Sequence, residues 1–308
     1  MRFFSGATRL AFGFVFSLFV ACEGQPMDGM TDAESQSLGK AAERIKPLHQ
    51  TKTKPAPGDW LAAHREKGQT FDEYQESKPM RPNAVRTTVY IQPIGDFDDT
   101  QKGLVRETVE LMSRFYGLPT KKLDPLSLDI IPQDARRVHP VWGDKQILTT
   151  YVLQDVLKPR RPKDAAATLA LTTSDLWPGE GWNFVFGQAS LQDRIGVWSL
   201  YRYGTTEGGE EEINKFRRRM YKVALHETGH MFGIRHCIAY ECAMNGSNHR
   251  AEMDGRPMWF CPECVQKVWW GCDVEPVDRY RALAEFADAF DLEPERVYWD
   301  SCRKRVTP

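Results

Sequence analysis

In the stretch HETGHMFGIRHCIAYECAMNG, which begins at His226, three of the chain's seven histidines stand close to two cysteines, two glutamates and two methionines. His226 and His230 are four residues apart. On a helix that spacing puts both imidazoles on one face, one turn apart, where a single Zn²⁺ can bridge them, with Glu227 beside the pair. A third ligand from the same face would be crowded. Gly233 resolves this, because glycine accepts positive φ and lets the chain leave the helix and bring His236 round. Three neutral imidazoles leave the fourth tetrahedral position open to water, which is the coordination of a catalytic zinc. The chemistry expected is hydrolysis: a zinc that polarises a carbonyl and acidifies water to a pKa of about 7, and Glu227 to take the proton. A His-x-x-x-His pair alone is often a satisfied surface pair. The added Gly233 and His236 at fixed offsets leave little room for coincidence.

A second cluster follows at once. Cys237, Cys242, Cys261 and Cys264 form a C-x4-C and a C-x2-C pair, and Cys-x-x-Cys presents two thiolates to one metal. Four thiolates close the coordination sphere, so a zinc here would be structural, pinning the loop that carries His236 and Met244. In an oxidising compartment the same four residues could form two disulfides instead. Cys272 and Cys302 are too isolated to be read as ligands and could pair with each other.

HETGHMFGIRH is the extended zinc signature of the metzincins. HCIAYECAM, with CPEC following after a sixteen-residue gap, resembles the archaemetzincins within that group, and YIQPIGDF and NFVFGQAS are also similar to family segments. The likeness runs from about Val85 to Val268. It implies a zinc metalloprotease acting on a peptide or protein substrate, with one catalytic and one structural zinc. It also implies an α+β fold: a twisted mixed sheet over the active-site helix, with a smaller, zinc-pinned lower subdomain. By the same resemblance Met244 is a hydrophobic floor below the catalytic zinc and not a ligand, and NFVFGQAS is the edge strand along which an extended peptide lies. No Tyr follows Met244 in AMNGSNH to assist the zinc. His249 there reads as a solvated loop residue.

The ligands need a rigid helix, and EEEINKFRRRMYKVALHETGHMFG supplies one. It is acidic at its start, and Ile213, Phe216, Met220, Val223 and Ala224 recur at core-facing spacing. TQKGLVRETVELMSRFYG places Leu104, Val105, Val109, Met112, Phe115 and Tyr116 on one face before a stop at Gly117. DKQILTTYVLQDVLKP reads as another helix. TTVYIQP, AATLALTT, NFVFGQAS and RIGVWSLYRY read as strands, the last two close enough to pair through LQD as a hairpin.

Over the whole chain, 41 basic and 42 acidic residues in 308 leave a net charge of −1 and no footprint for nucleic acid. No phosphate-binding Gly-Lys loop and no G-x-S-x-G elbow occurs. Arg2 and Arg9 precede a short apolar run ending in FVAC. We expect residues 1–22 to be an export signal with a lipobox-like end, and lipidated Cys22 to attach the mature chain to a bacterial membrane facing the periplasm or cell surface; the alternatives are an ordinary secretion signal and an intracellular enzyme whose N-terminus only resembles a signal. Residues 23–84 are polar and rich in turn formers and read as a tether, with His49 and His64 on its surface. Residues 85–308 form the catalytic domain. The rival class is a membrane-tethered zinc- or peptide-binding lipoprotein without turnover. Glu227 argues against it, since a binding protein has no need of a base beside an open metal position.

Overall fold

The computed structural model describes residues 30–307. Residues 1–22, expected to be an export signal, and with them Cys22, lie outside the described residues. In chain order the elements are α1 (Asp32–Ile45), α2 (Trp60–Ala63), α3 (Phe71–Glu76), β1 (Thr88–Ile94), α4 (Asp99–Tyr116), β2 (Thr120–Lys122), β3 (Arg136–Val138) and β4 (Lys145–Leu148). A helical run follows, made of α5 (Thr149–Tyr151), a π-helical stretch (Val152–Leu157) and α6 (Lys158–Arg160). Then come β5 (Ala165–Thr172), β6 (Asp175–Trp177), β7 (Gly187–Ala189), β8 (Ile195–Ser199), α7 (Glu210–Met231), α8 (Arg250–Asp254), α9 (Pro262–Cys272), α10 (Pro276–Ala289) and α11 (Glu293–Val306).

The main sheet has the order β2-β1-β5-β8-β7. Its first four strands are parallel, and β7 returns antiparallel to β8 with Gly187 opposite Trp198 and Ala189 opposite Gly196. The hairpin expected through LQD is therefore present. Every residue of β5 is buried, as a parallel strand covered on both faces requires. Leu169 and Leu171 face the helical layer of α4 and α7, while Ala170, with Ile195 and Val197, faces the π-helical stretch. A smaller sheet, β3-β4-β6, lies beyond it. This is the mixed α+β architecture expected from the resemblance.

α4 runs as the periodicity predicts, opening on an Asp98 capping box and ending at Gly117 in the left-handed region. The helix expected over DKQILTTYVLQDVLKP begins later than its sequence suggests, because Lys145–Leu148 pairs as β4 with β3 and β6. Sheet pairing here overrides helix periodicity. NFVFGQAS contributes only Gly187–Ala189 as strand, and RIGVWSLYRY leaves the sheet after Ser199.

The largest departure is the segment read as a tether. From Met30 onward it packs against the domain. Leu38, Ala41, Ala42 and Ile45 of α1 are buried in the main core, as are Phe71 and Tyr74 of α3. Tyr74 is fully buried and its hydroxyl donates to the Phe232 carbonyl at 2.9 Å. Thr51 bridges antiparallel to Tyr240, and Lys52 pairs with Glu241 at 2.9 Å. The polar composition misleads because a few large side chains, spaced along short elements, do the anchoring. His49 is likewise held, between the Ile45 carbonyl at 3.1 Å and the Tyr298 hydroxyl at 2.7 Å. The C-terminal α10 and α11 also join this core, through Tyr280, Leu283, Phe286 and Trp299. Among the described residues no helix is long and apolar enough to cross a membrane.

Candidate metal centre

α7 carries the first two histidines and ends where the sequence says it should. Gly233 has φ 81°, its N–H and that of Ile234 turn back to the carbonyls of His230 and Gly229, and a Cβ there would meet Pro79 at 2.7 Å. Any other residue would suffer both the backbone strain and the clash. Past that turn the chain delivers His236. The side-chain nitrogens of His226, His230 and His236 then lie within 4.8 Å of one another.

Each ring is aimed by a hydrogen bond at its far nitrogen. The Nδ1 of His226 donates to the Ala243 carbonyl at 2.8 Å, that of His230 to the Ile234 carbonyl at 2.7 Å, and that of His236 to Glu66 Oε1 at 2.6 Å. With Nδ1 protonated in each ring, the Nε2 lone pairs face one another, as close as 3.0 Å between His226 and His230. Two acceptors so placed cannot bond each other; a cation shared among the three satisfies them. Burial, then the neighbouring imidazoles, holds His226 well below its ordinary pKa and takes His230 down to about 3. Both are neutral, the state a metal ligand would need.

Glu227 is buried beside them, with Oε2 lacking any hydrogen-bond partner. Burial raises its pKa to about 8. Its carboxyl presses against β7, where a side chain in place of Gly187 would collide with Oε1. Met244 is fully buried.

The four thiols also come together. Cys237, Cys242, Cys261 and Cys264 are buried with their sulfurs within 4.8 Å of one another, and no disulfide occurs among the described residues. Cys242 Sγ accepts the N–H of Met244 at 3.4 Å and of Cys261 at 3.2 Å, contacts that suit a thiolate. Four sulfurs with backbone donors around them fit a closed tetrahedral zinc. Cys272 on α9 and Cys302 on α11 remain free thiols.

The histidines floor a cleft of about 750 Å³. One wall is the β6–β7 connection with Trp182 and Phe184; the other holds Trp60 and His64, from the segment read as a tether. His64 stacks on Trp182 with centroids 5.9 Å apart and on Trp60 at 4.0 Å, so it is a cleft residue and not a surface one. Trp60 Nε1 donates to the same Glu66 oxygen that orients His236. Sequence reasoning missed Trp60, His64 and Glu66, since no local pattern links them to a loop so far along the chain. It missed Lys222 and Arg256 in the cleft as well. His249 caps α8, contacts Asp59 at 3.1 Å, and takes no part in the histidine cluster.

A family model described as peptidase family M54 matches residues 161–269. Archaemetzincin-2 of Macaca fascicularis is 33% identical over 83% of this chain and 79% of its own length. Archaemetzincin-2 of Homo sapiens is 32% identical over the same shares. Among solved structures, archaemetzincin from Methanopyrus kandleri is similar with a TM-score of 0.50 and 27% identity, over 63% of this chain and 99% of that one. The relatives' coverage exceeds the Val85–Val268 stretch that motifs alone suggest. With its zinc-ligand pattern set on the expected helix and about a third of its residues shared with such relatives over most of both chains, this chain belongs to the archaemetzincin family of zinc peptidases.

Proposed function

We propose that the chain hydrolyses peptide bonds with His226, His230 and His236 holding a catalytic zinc and Glu227 acting as general base. The observation that carries this is the three Nε2 atoms converging beside a buried carboxyl with an unpartnered oxygen. When bound, zinc supplies Lewis acidity to a substrate carbonyl and to the attacking water. Glu227 takes the proton from that water and returns it to the departing amine. Its raised affinity for the proton, a consequence of burial, suits both halves of the transfer. β7 ends the sheet, and among the described residues no strand pairs with its outer edge, which leaves it open to an extended substrate backbone. Cys237, Cys242, Cys261 and Cys264 would hold a second, structural zinc that fixes the loop between His236 and Met244. A metal- or peptide-binding role without turnover has no use for Glu227 in this place.

Zinc-loaded protein on a mixed peptide library, with and without phenanthroline, tests the reading, with Glu227→Gln as control. Cleavage abolished by the chelator, restored by zinc and lost in the variant is expected. Near-normal turnover by Glu227→Gln would remove it from the mechanism. We further propose export through residues 1–22, with lipid on Cys22, on the sequence pattern alone. The mass of the mature N-terminus decides it.

A further inference from the structure

Lys222 and Val223 lie one turn before His226 on α7 and therefore share its face. Beside them the cleft is lined by Ala243, Ser247, Met253 and Arg256. Lys222 and Arg256 are both buried, at 7% and 9% exposure, and a buried charge ordinarily has a partner. Neither has a carboxylate in contact among the described residues. Lys222 Nζ donates to the carbonyls of Met253 and Asp254, both at 3.1 Å, which leaves its third proton free. Arg256 Nη1 donates to the Asn245 carbonyl, while Nε is buried without a partner, as is the Ser247 hydroxyl.

The nearby acids are committed elsewhere. Asp254 pairs with Arg219, and Glu295 with Arg218 at 3.1 Å. Glu252 accepts the backbone N–H groups of Trp60 and Asn248, and Glu241 pairs with Lys52 at 2.9 Å. Glu227 has no hydrogen bond or ion pair to either cation. Burial takes Lys222 down to about 8, helped by repulsion from Arg256, and takes Arg256 down to about 10. Both remain mainly cationic at neutral pH.

We propose that Lys222 and Arg256, with Ser247, form a subsite that binds a carboxylate of the substrate next to the scissile bond. This rests on the peptidase reading above. The carboxylate comes either from an Asp or Glu side chain or from the C-terminus of a short peptide, and the chemistry of recognition is the same. A neutral isostere would leave two buried cations unpaired, so discrimination is by the fold's own unmet charge.

Binding to zinc-loaded, full-chain Glu227→Gln protein tests this without turnover. The probes are end-capped alanine-based hexapeptides carrying Glu, Gln or Leu at one position, and the same peptides with free or amidated C-termini, measured by calorimetry. Glu should bind about 10–100-fold more tightly than Gln, the worth of a hydrogen bond to a charged group. Tightening confined to free C-termini would identify the terminal carboxylate as the ligand. Equal affinity for all probes would overturn the proposal. Lys222→Met and Arg256→Gln, each in the Glu227→Gln background, should flatten the preference and Arg256→Lys should keep part of it. If Arg256→Gln fails to fold, Lys222→Met decides, and an undiminished preference there removes Lys222 from the subsite. Absence of cleavage by the wild-type chain would count against the peptidase reading alone, since these affinities do not depend on it.

Discussion

Glu66 accepts the Nδ1 proton of His236 at 2.6 Å and the indole proton of Trp60 at 2.8 Å. It therefore sets both the tautomer and the tilt of the third proposed ligand, as the carbonyls of Ala243 and Ile234 do for the other two. Partners of this kind are worth roughly 10–100-fold in metal affinity. Glu66→Ala should weaken zinc binding by about that factor, measured by chelator competition, while Glu66→Gln should recover part of it because its amide oxygen still accepts. His230→Ala should lose the metal outright. Glu227→Gln should retain it and lower hydrolysis by roughly 10²–10⁴-fold, the usual contribution of a positioned base. The proposed ligands were legible in the sequence because they crowd into one helix and its exit loop. Glu66 was not, since its importance exists only once α2 and the chain after it lie against His236.

At the scale of elements, α3 shows why the polar segment belongs to the fold. Tyr74 buries its ring against Trp270 and its hydroxyl holds Phe232 at the end of α7. Tyr74→Ala should cost about 3–5 kcal/mol, as a large buried ring does, and Tyr74→Phe about 1 kcal/mol for the lost hydrogen bond. Thermal or urea unfolding of the two variants separates packing from polarity. A chain beginning at Asn83 loses α1, α3, Trp60 and Glu66 together, so it should unfold or bind zinc poorly, contrary to what the composition of residues 23–84 suggests. The segment did carry readable signs: Thr31 with Glu34 and Thr70 with Glu73 both form capping boxes. Two helix starts in a stretch of otherwise irregular polarity were outweighed by its prolines, glycines and lysines. α4 and α7 were legible because each keeps a regular apolar stripe over many turns. β4 was not, because its place in a sheet depends on partners on both sides.

For the molecule as a whole, the two proposed metal sites differ in what removing the metal should do. The histidine site is neutral and open to the cleft, so a chelator should empty it first and leave the fold standing. A zinc in the proposed thiol site would be closed in and linked to folding, by about 10–16 kcal/mol in small zinc domains. Cys261→Ser should lower the melting temperature and reduce activity, although Cys261 lies away from the cleft. Metal content by mass spectrometry with thiol counting checks both. A single zinc with all four thiols oxidised would show that disulfides hold the loop. Finally, the hydrogen bond from His236 to Glu66 joins residues 170 positions apart. At synthesis rates of roughly 5–20 residues per second, Glu66 leaves the ribosome about 10–30 s before its partner. Throughout that interval the nascent chain holds an aiming group with nothing to aim. If zinc is held as proposed, the third ligand is therefore fixed only after His236 has emerged and folded back onto a segment made long before it.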